Sequence, residues 1–169
     1  MEIRQLTVGD AAAYRTLRLS ALEESPTAFG SSYAEEVDRP VAVVKRRFAD
    51  EHNHIFGAFT GDGELVGMVT LRREPYVKMA HKANIYAMYV APEHRQQGAG
   101  RALMEAAIAR AEELGVRQVN LTVTSTNEAA VALYEACGFE RFGLERDAFL
   151  IDGVFYYAAS MGVRGGEEG

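Results

Sequence analysis

The chain has 169 residues, 48% of them hydrophobic and 25% charged, with a formal net charge of −6. That composition suits one soluble domain spanning 1–169, long enough to bury roughly two thirds of its unfolded surface without staples. It excludes a global basic field for nucleic acid, and the single Cys137 excludes an internal disulfide and fits a reducing compartment. No apolar run approaches the roughly 20 residues of a membrane span, and MEIRQLTVGD lacks the apolar core of a signal peptide. No membrane partner is therefore expected, and the expected location is cytoplasmic.

In chain order, EIRQLT predicts a short opening strand. Asp10 is a fitting N-cap for a helix over DAAAYRTLRLSALEES, whose stripe runs through Ala13, Tyr14, Leu17, Ala21 and Leu22 until Pro26 stops it. PTAFGSSYAEEVDRP reads as a loop, and Pro40 suits the first turn of a second helix, VAVVKRRFADE. IFGAFT and LVGMVTLRR bracket the turn GDGE, a hairpin signal. EPYVKMAHKA is a polar connection, and ANIYAMYVA is a third central strand ended by Pro92. RALMEAAIARAEELG is the clearest helix, closed by Gly115. VRQVNLTVT is a strand, STNEAAVALYEACG a shorter helix closed by Gly138, and FERFGLER and GVFYYAASM two final strands. The last of these is either a core strand or a dimer seam, so monomer and homodimer both stay open. Residues 164–169 are expected to fray.

The order β-α-α-β-β-β-α-β-α-β-β predicts an α/β chain with a mixed sheet. A strand, helix and strand in succession imply a parallel pair joined by a right-handed crossover, and the hairpins imply antiparallel neighbours. Helices cover both faces. This is not a doubly wound dinucleotide-binding sheet.

The stretch HRQQGAGRAL, 94–103, carries the most chemistry. The first amides of a helix lack helical acceptors, and with the helix dipole behind them they form an anion site. Gly98 and Gly100 let a bulky anion approach the backbone, and Arg95 and Arg101 add charge on either side. A P-loop would need a Lys after its last glycine, and a dinucleotide fingerprint a glycine where Leu103 stands, so both comparisons fail. A plain turn into a helix gives the same local pattern.

What the run does match is [RQ]-x-x-G-x-[GA], read as Arg95-Gln96-Gln97-Gly98-Ala99-Gly100, followed one helix and one strand later by TNEAAVALYEACGFERFG, which matches N-x-x-A-x-x-L-Y-x-x-x-G-F. Together the two blocks resemble the GNAT superfamily of N-acyltransferases over most of the chain. The resemblance implies a mostly antiparallel twisted sheet with one splayed parallel pair, and an acetyl-CoA-dependent N-acetyltransferase with no metal. It implies that Gln96, Gln97, Gly98, Ala99, Gly100 and Arg101, with Arg95 beside them, hold the pyrophosphate through backbone amides. It implies that Met88, Tyr89 and Val90 pair with the pantetheine arm, the split starting at a strand bulge, and that Val90 N–H polarises the thioester carbonyl. Asn127 would bond the pantetheine region, Ala130 would let the arm pass, and Tyr134 would be the general acid.

The residues also admit plainer roles. Tyr134 suits helix packing as well as proton donation to a thiolate, which a phenol of pKa near 10 can perform. A capping box from Ser125 to Glu128 would leave Asn127 free for ligand. Cys137 reads as a small buried hydrophobe, and His52 and His54 lack the further ligands a metal needs. For the base, Glu24, Glu35, Glu36 and Glu93 are carboxylates of no special placement. Asn84 and Tyr86 sit better, on the strand before the thioester, where alternation puts them on one face with Met88 and lets Tyr86 relay a proton through water. Phe29, Tyr33, Glu35 and Glu36 make an acidic aromatic loop that suits a cationic amine, although such loops are common. A small-molecule or peptide amine is the expected acceptor. Two rivals remain: a non-catalytic acyl-CoA sensor of the same fold, and a binder of another phosphorylated ligand.

Overall fold

A computed structural model describes residues 1–165. In chain order the elements are β1 (Glu2–Gln5), α1 (Ala11–Glu24), α2 (Tyr33–Glu36), α3 (Val41–Ala49), β2 (Asn53–Phe59), β3 (Leu65–Arg73), β4 (Lys82–Val90), α4 (Ala99–Glu113), β5 (Gln118–Thr124), α5 (Glu128–Ala136), β6 (Glu140–Ile151) and β7 (Val154–Arg164). The seven strands form one sheet in the order β1-β2-β3-β4-β5-β7-β6. Only β4 and β5 pair in parallel, and every other pairing is antiparallel. The α4 crossover between them supplies the length a parallel connection needs.

The sheet separates two cores. On one face, Leu103, Met104, Ala107 and Ala111 of α4 pack with Tyr134 of α5 against Val69, Leu71, Ile85 and Leu121. On the other, Tyr14, Leu17, Ala21 and Leu22 of α1 meet Val44 of α3, Met68 and Tyr89. Fully burying each large apolar side chain contributes about 1.5–3 kcal/mol, so both helix layers are held chiefly by these stripes. Ala13 stands outside the α1 stripe and is exposed, and Ala11 takes its place inside. Asp10 sits at the N-cap position but bonds no α1 amide; its carboxylate accepts from Thr7 N at 2.8 Å and pairs with Arg4 at 3.0 Å.

The segment 26–40 is less irregular than its Ser, Gly and Pro content predicts. Pro26–Ala28 makes one 3₁₀ turn, and Tyr33–Glu36 makes one helical turn with Ser32 and Glu35 in a reciprocal capping box. The last two strands are longer than expected and join at Asp152 and Gly153, both left-handed (φ 50° and 77°), the mark of a tight primed hairpin turn. The GVFYYAASM stretch divides: Val154, Phe155 and Tyr157 are exposed, while Ala158, Ala159 and Met161 are core. Arg164 closes β7 and Gly165 N donates to Arg117 O at 3.0 Å, so the described part of the expected tail is pinned; 166–169 lie outside the described residues. Among the described residues no helix is long and apolar enough to cross a membrane.

Candidate active site

The site starts from a defect in β4. The β3–β4 ladder pairs Met68 with Tyr89 and Thr70 with Tyr86, so Ala87 and Met88 together oppose Val69. Ala87 takes the left-handed φ of 55°, as the first residue of a G1-type bulge does. The extra residue reverses side-chain alternation beyond it. Met88 therefore packs into the α4–α5 core, not on the face shared by Asn84 and Tyr86, which strict alternation had assigned it. β4 and β5 part shortly before the bulge: their parallel register ends at Asn84↔Asn120. Ala91 N donates to Val66 O at 2.8 Å, so ladder alternation turns the Val90 peptide away from β3 and into the gap.

The gap is a cleft of about 860 Å³. Met88, Tyr89, Val90, Arg95, Gln96, Gly98, Ala99, Gly100, Arg101, Asn127, Ala130 and Tyr134 all line it, as do Phe29, Asn84 and Tyr86. Gln97, Tyr33 and Glu36 do not. At the α4 end, Gln96 and Gly98 both have left-handed φ (63° and 84°), and successive turns of this kind aim backbone N–H groups into one concavity. Ala102 N, bonded to Gly98 O at 3.0 Å, is the first α4 amide with a helical acceptor; among the described residues, none from Gln96 to Arg101 finds one. The two glycines serve different needs. Gly98 is there for its φ, since a Cβ would meet nothing within 4 Å. Gly100 is there for space: a Cβ would lie 3.3 Å from Leu133 and 3.4 Å from Met88.

The flanking arginines are already paired. Arg101 Nε reaches Glu105 at 3.2 Å along the exposed face of α4. Arg95 turns back into the cleft: Nε donates to Val90 O at 2.8 Å, Nη2 to Glu24 at 2.6 Å, and the guanidinium stands 5.5 Å from the Tyr89 ring centre. The Tyr89 hydroxyl donates to the same Glu24 oxygen at 2.9 Å. Burial and the Glu24 carboxylate push the Tyr89 phenol up to about 12. Glu24 thus ties the end of α1 to the strand and turn that frame the opening. No short-range sequence signal links Glu24 to Arg95.

Tyr134 is 7% exposed and faces the cleft from α5. Its ring packs 6.1 Å from Phe139, tilted 57°. Among the described residues its hydroxyl has no hydrogen-bond partner, and burial, with Cys137 nearby, pushes the phenol well above its usual range. It stays protonated at any working pH. Asn127, not Ser125, caps α5: its Oδ1 accepts from Ala130 N at 3.2 Å, so its amide oxygen is occupied by the helix it begins. The expected Ser125 capping box is absent because α5 starts at Glu128, one residue after Asn127.

The expected acidic loop is turned away. Glu36 is buried against Arg18, 2.7 Å to Nε and 2.8 Å to Nη2, with Arg47 at 3.8 Å; these cations hold its carboxyl at about 2. Glu35 serves the Ser32 cap. In their place the cleft receives Arg18, Asn120, Phe142, Phe149 and Ser160, brought from distant strands and helices. Irregularities interrupt the β6 ladder between Arg141 and Gly143, where Phe142 lies, and between Glu145 and Phe149. Among the described residues no cluster of three or more His, Cys, Asp or Glu side chains is placed to hold a metal.

Comparison with known proteins gives a consistent family. Residues 17–139 match the model of the acetyltransferase (GNAT) family. The aminoglycoside N(6′)-acetyltransferase type 1 of Stenotrophomonas maltophilia is 32% identical over 142 residues, covering 82% of this chain and 85% of its own. The N-alpha-acetyltransferase RimI of Mycobacterium tuberculosis is 34% identical over 122 residues, 70% of this chain and 72% of its own. Among solved structures, a putative acetyltransferase from Salmonella typhimurium, determined with its cofactor acetyl-CoA, superposes with a TM-score of 0.85 at 19% identity, covering 100% of this chain and 96% of that one. An acetyltransferase from Streptococcus pneumoniae gives 0.84 at 24% identity, covering 96% and 98%. At such identities the two structures speak for the fold.

Proposed function

Because this chain belongs to the acetyltransferase (GNAT) family, we propose that it moves an acetyl group from acetyl-CoA directly to a primary amine of a small molecule or peptide, with both bound in one cleft. The observation that carries the reading is the buried Tyr134 hydroxyl, without a partner among the described residues, in the same cleft as the free amides of the α4 start. An unpaired buried hydroxyl costs about 1–3 kcal/mol, and a bound group that accepts from it relieves that cost.

The residues fit the donor. Gln96 to Arg101 present amides and the α4 dipole to a pyrophosphate, and Gly100 keeps that approach clear of side chain. The unpaired edge of β4 beyond Asn84 takes the peptide-like pantetheine arm as an added strand. Acetyl-CoA supplies an activated thioester. Val90 N–H, turned into the gap, donates to the acyl oxygen as charge develops there. Tyr134 gives its proton to the departing sulfur as the C–S bond breaks and the C–N bond forms, and is reprotonated from solvent. The acceptor must arrive as the neutral amine. In this reading Tyr86 passes the amine proton to water; its 52% exposure on β4 and the neighbouring Asn84, held by Glu74 at 2.7 Å, support that role.

Thermal denaturation tests the donor half. Acetyl-CoA at 100 times its Kd stabilises by about 2.7 kcal/mol, or roughly 5–11 °C for a domain of this size. The expected result is that shift with acetyl-CoA and little with ATP. No shift with acetyl-CoA, or an equal one with ATP, contradicts the reading.

A further inference from the structure

The acceptor half of the cleft has a chemical character of its own. Among the described residues that line the cleft, none is Asp or Glu. Beyond the donor-holding turn, the one charged side chain on its wall among the described residues is Arg18, whose guanidinium stands 5.6 Å from the Phe29 ring centre. Phe29, Tyr86, Phe142 and Phe149 supply aromatic surface to the same cleft.

Arg18 is paired with Glu36, but the pairing does not use the whole fork. Glu36 takes Nε and one Nη2 proton of the fork, leaving the remaining guanidinium N–H groups outside that pair. Behind the wall, Glu36 is shared between Arg18 and Arg47, which stands 3.8 Å from it. One carboxylate between two guanidinium groups leaves a local positive charge behind this wall, within a chain whose formal net charge is −6. A polycationic acceptor would bring like charge to that end and find no carboxylate on the wall to receive it.

We infer that the acceptor is a primary amine carrying a carboxylate on an apolar or aromatic body, with the carboxylate directed to Arg18 and the body against Phe29, Phe142 and Phe149. This rests on the acetyl-CoA reading above, because the amine must meet a thioester in the same cleft. Arg18 then sets which amine binds, and its fixed planar fork suits a carboxylate better than a lysine ammonium would.

The test is a matched pair. Thiol release is followed with acetyl-CoA and, in turn, phenylalanine, 2-phenylethylamine (the same body without the carboxylate) and spermidine. The intact chain is expected to favour phenylalanine over 2-phenylethylamine by about tenfold or more in kcat/KM, as one charge-assisted hydrogen bond allows, and to use spermidine worst. Arg18→Gln, and the Arg18→Gln/Glu36→Gln double variant that leaves no orphaned charge, should both lose that ratio, mainly through KM for phenylalanine, while acetyl-CoA still raises Tm. A ratio near one in the intact chain, a preference for spermidine, or an unchanged ratio in both variants overturns the inference. So does acetyl-CoA stabilisation without turnover of phenylalanine, an outcome that leaves the donor reading standing. Absence of any acetyl-CoA stabilisation instead refutes the donor reading itself.

Discussion

Replacing Tyr134 by Phe separates its chemistry from its packing. The ring would keep its place beside Phe139, 6.1 Å away, because the substitution removes one oxygen and no carbon. That oxygen is buried and lacks a partner among the described residues, so its loss should leave stability unchanged or raise it, by up to about 1–3 kcal/mol. Catalysis should move the other way. A positioned general acid contributes about 10²- to 10⁴-fold, which is roughly 3–5 kcal/mol of transition-state stabilisation. Three measurements on one preparation suffice: Tm without ligand, the Tm rise with acetyl-CoA, and kcat from thiol release. The expected pattern is an equal or higher Tm, a preserved acetyl-CoA shift and a kcat lower by at least about a hundredfold. Because burial raises the Tyr134 pKa, the acid form persists as pH rises, so the intact enzyme should show no alkaline loss of kcat through pH 9. Unchanged turnover in Tyr134→Phe removes the residue from the acid role. A fall in stability with unchanged turnover makes it a packing residue.

Other consequences follow from the same geometry. Gly100→Val should cost about 1–3 kcal/mol through contact with Leu133 and Met88 and abolish the acetyl-CoA shift in Tm, whereas a retained shift would put the pyrophosphate elsewhere. Glu36→Gln should destabilise by about 3–5 kcal/mol at pH 7, since it leaves the buried Arg18 short of its partner. The depressed Glu36 pKa contributes stability that is present above its ordinary 4.5 and lost as pH falls towards about 2. The gap between variant and parent in a Tm-against-pH series should therefore narrow below pH 4.5 and not stay constant. Arg95→Lys cannot bridge Val90 O and Glu24 with one planar fork, and should weaken acetyl-CoA binding roughly fivefold by calorimetry, about 1 kcal/mol given the exposure of that pair.

The sequence was most informative where chemistry is local. The α4 turn and the α5 block each lie within one short stretch, and both fall on the cleft. The hairpins and the helix-closing Gly115 and Gly138, left-handed at φ 77° and 94°, are equally local, and the elements follow one another along the chain as expected apart from the added turn α2. What escaped depends on contacts between distant segments or on one residue of register. Met88 changes face because Ala87 is a bulge, and nothing in IYAMYV marks Ala87 rather than its neighbours. Asn127 caps α5 because the helix starts two residues later than a Ser125 cap would require. Glu36 looked like an exposed loop carboxylate, and only the approach of Arg18, eighteen residues earlier, makes it a buried partner. Arg95 reads as a phosphate ligand by position, yet its side chain folds onto Val90 and Glu24. The acceptor wall draws on Arg18, Phe29, Phe142 and Phe149, which no single window of sequence brings together.

Direct transfer within one cleft is tested most squarely by initial-rate kinetics with acetyl-CoA and a turned-over amine varied together. The account predicts that thiol appears only when both are present and that the reciprocal plots intersect. Parallel plots with a burst of thiol in the absence of amine would mean an acetylated enzyme intermediate and contradict it. Acetyl-CoA binding with no thiol release across an amine panel would make the chain an acyl-CoA sensor instead.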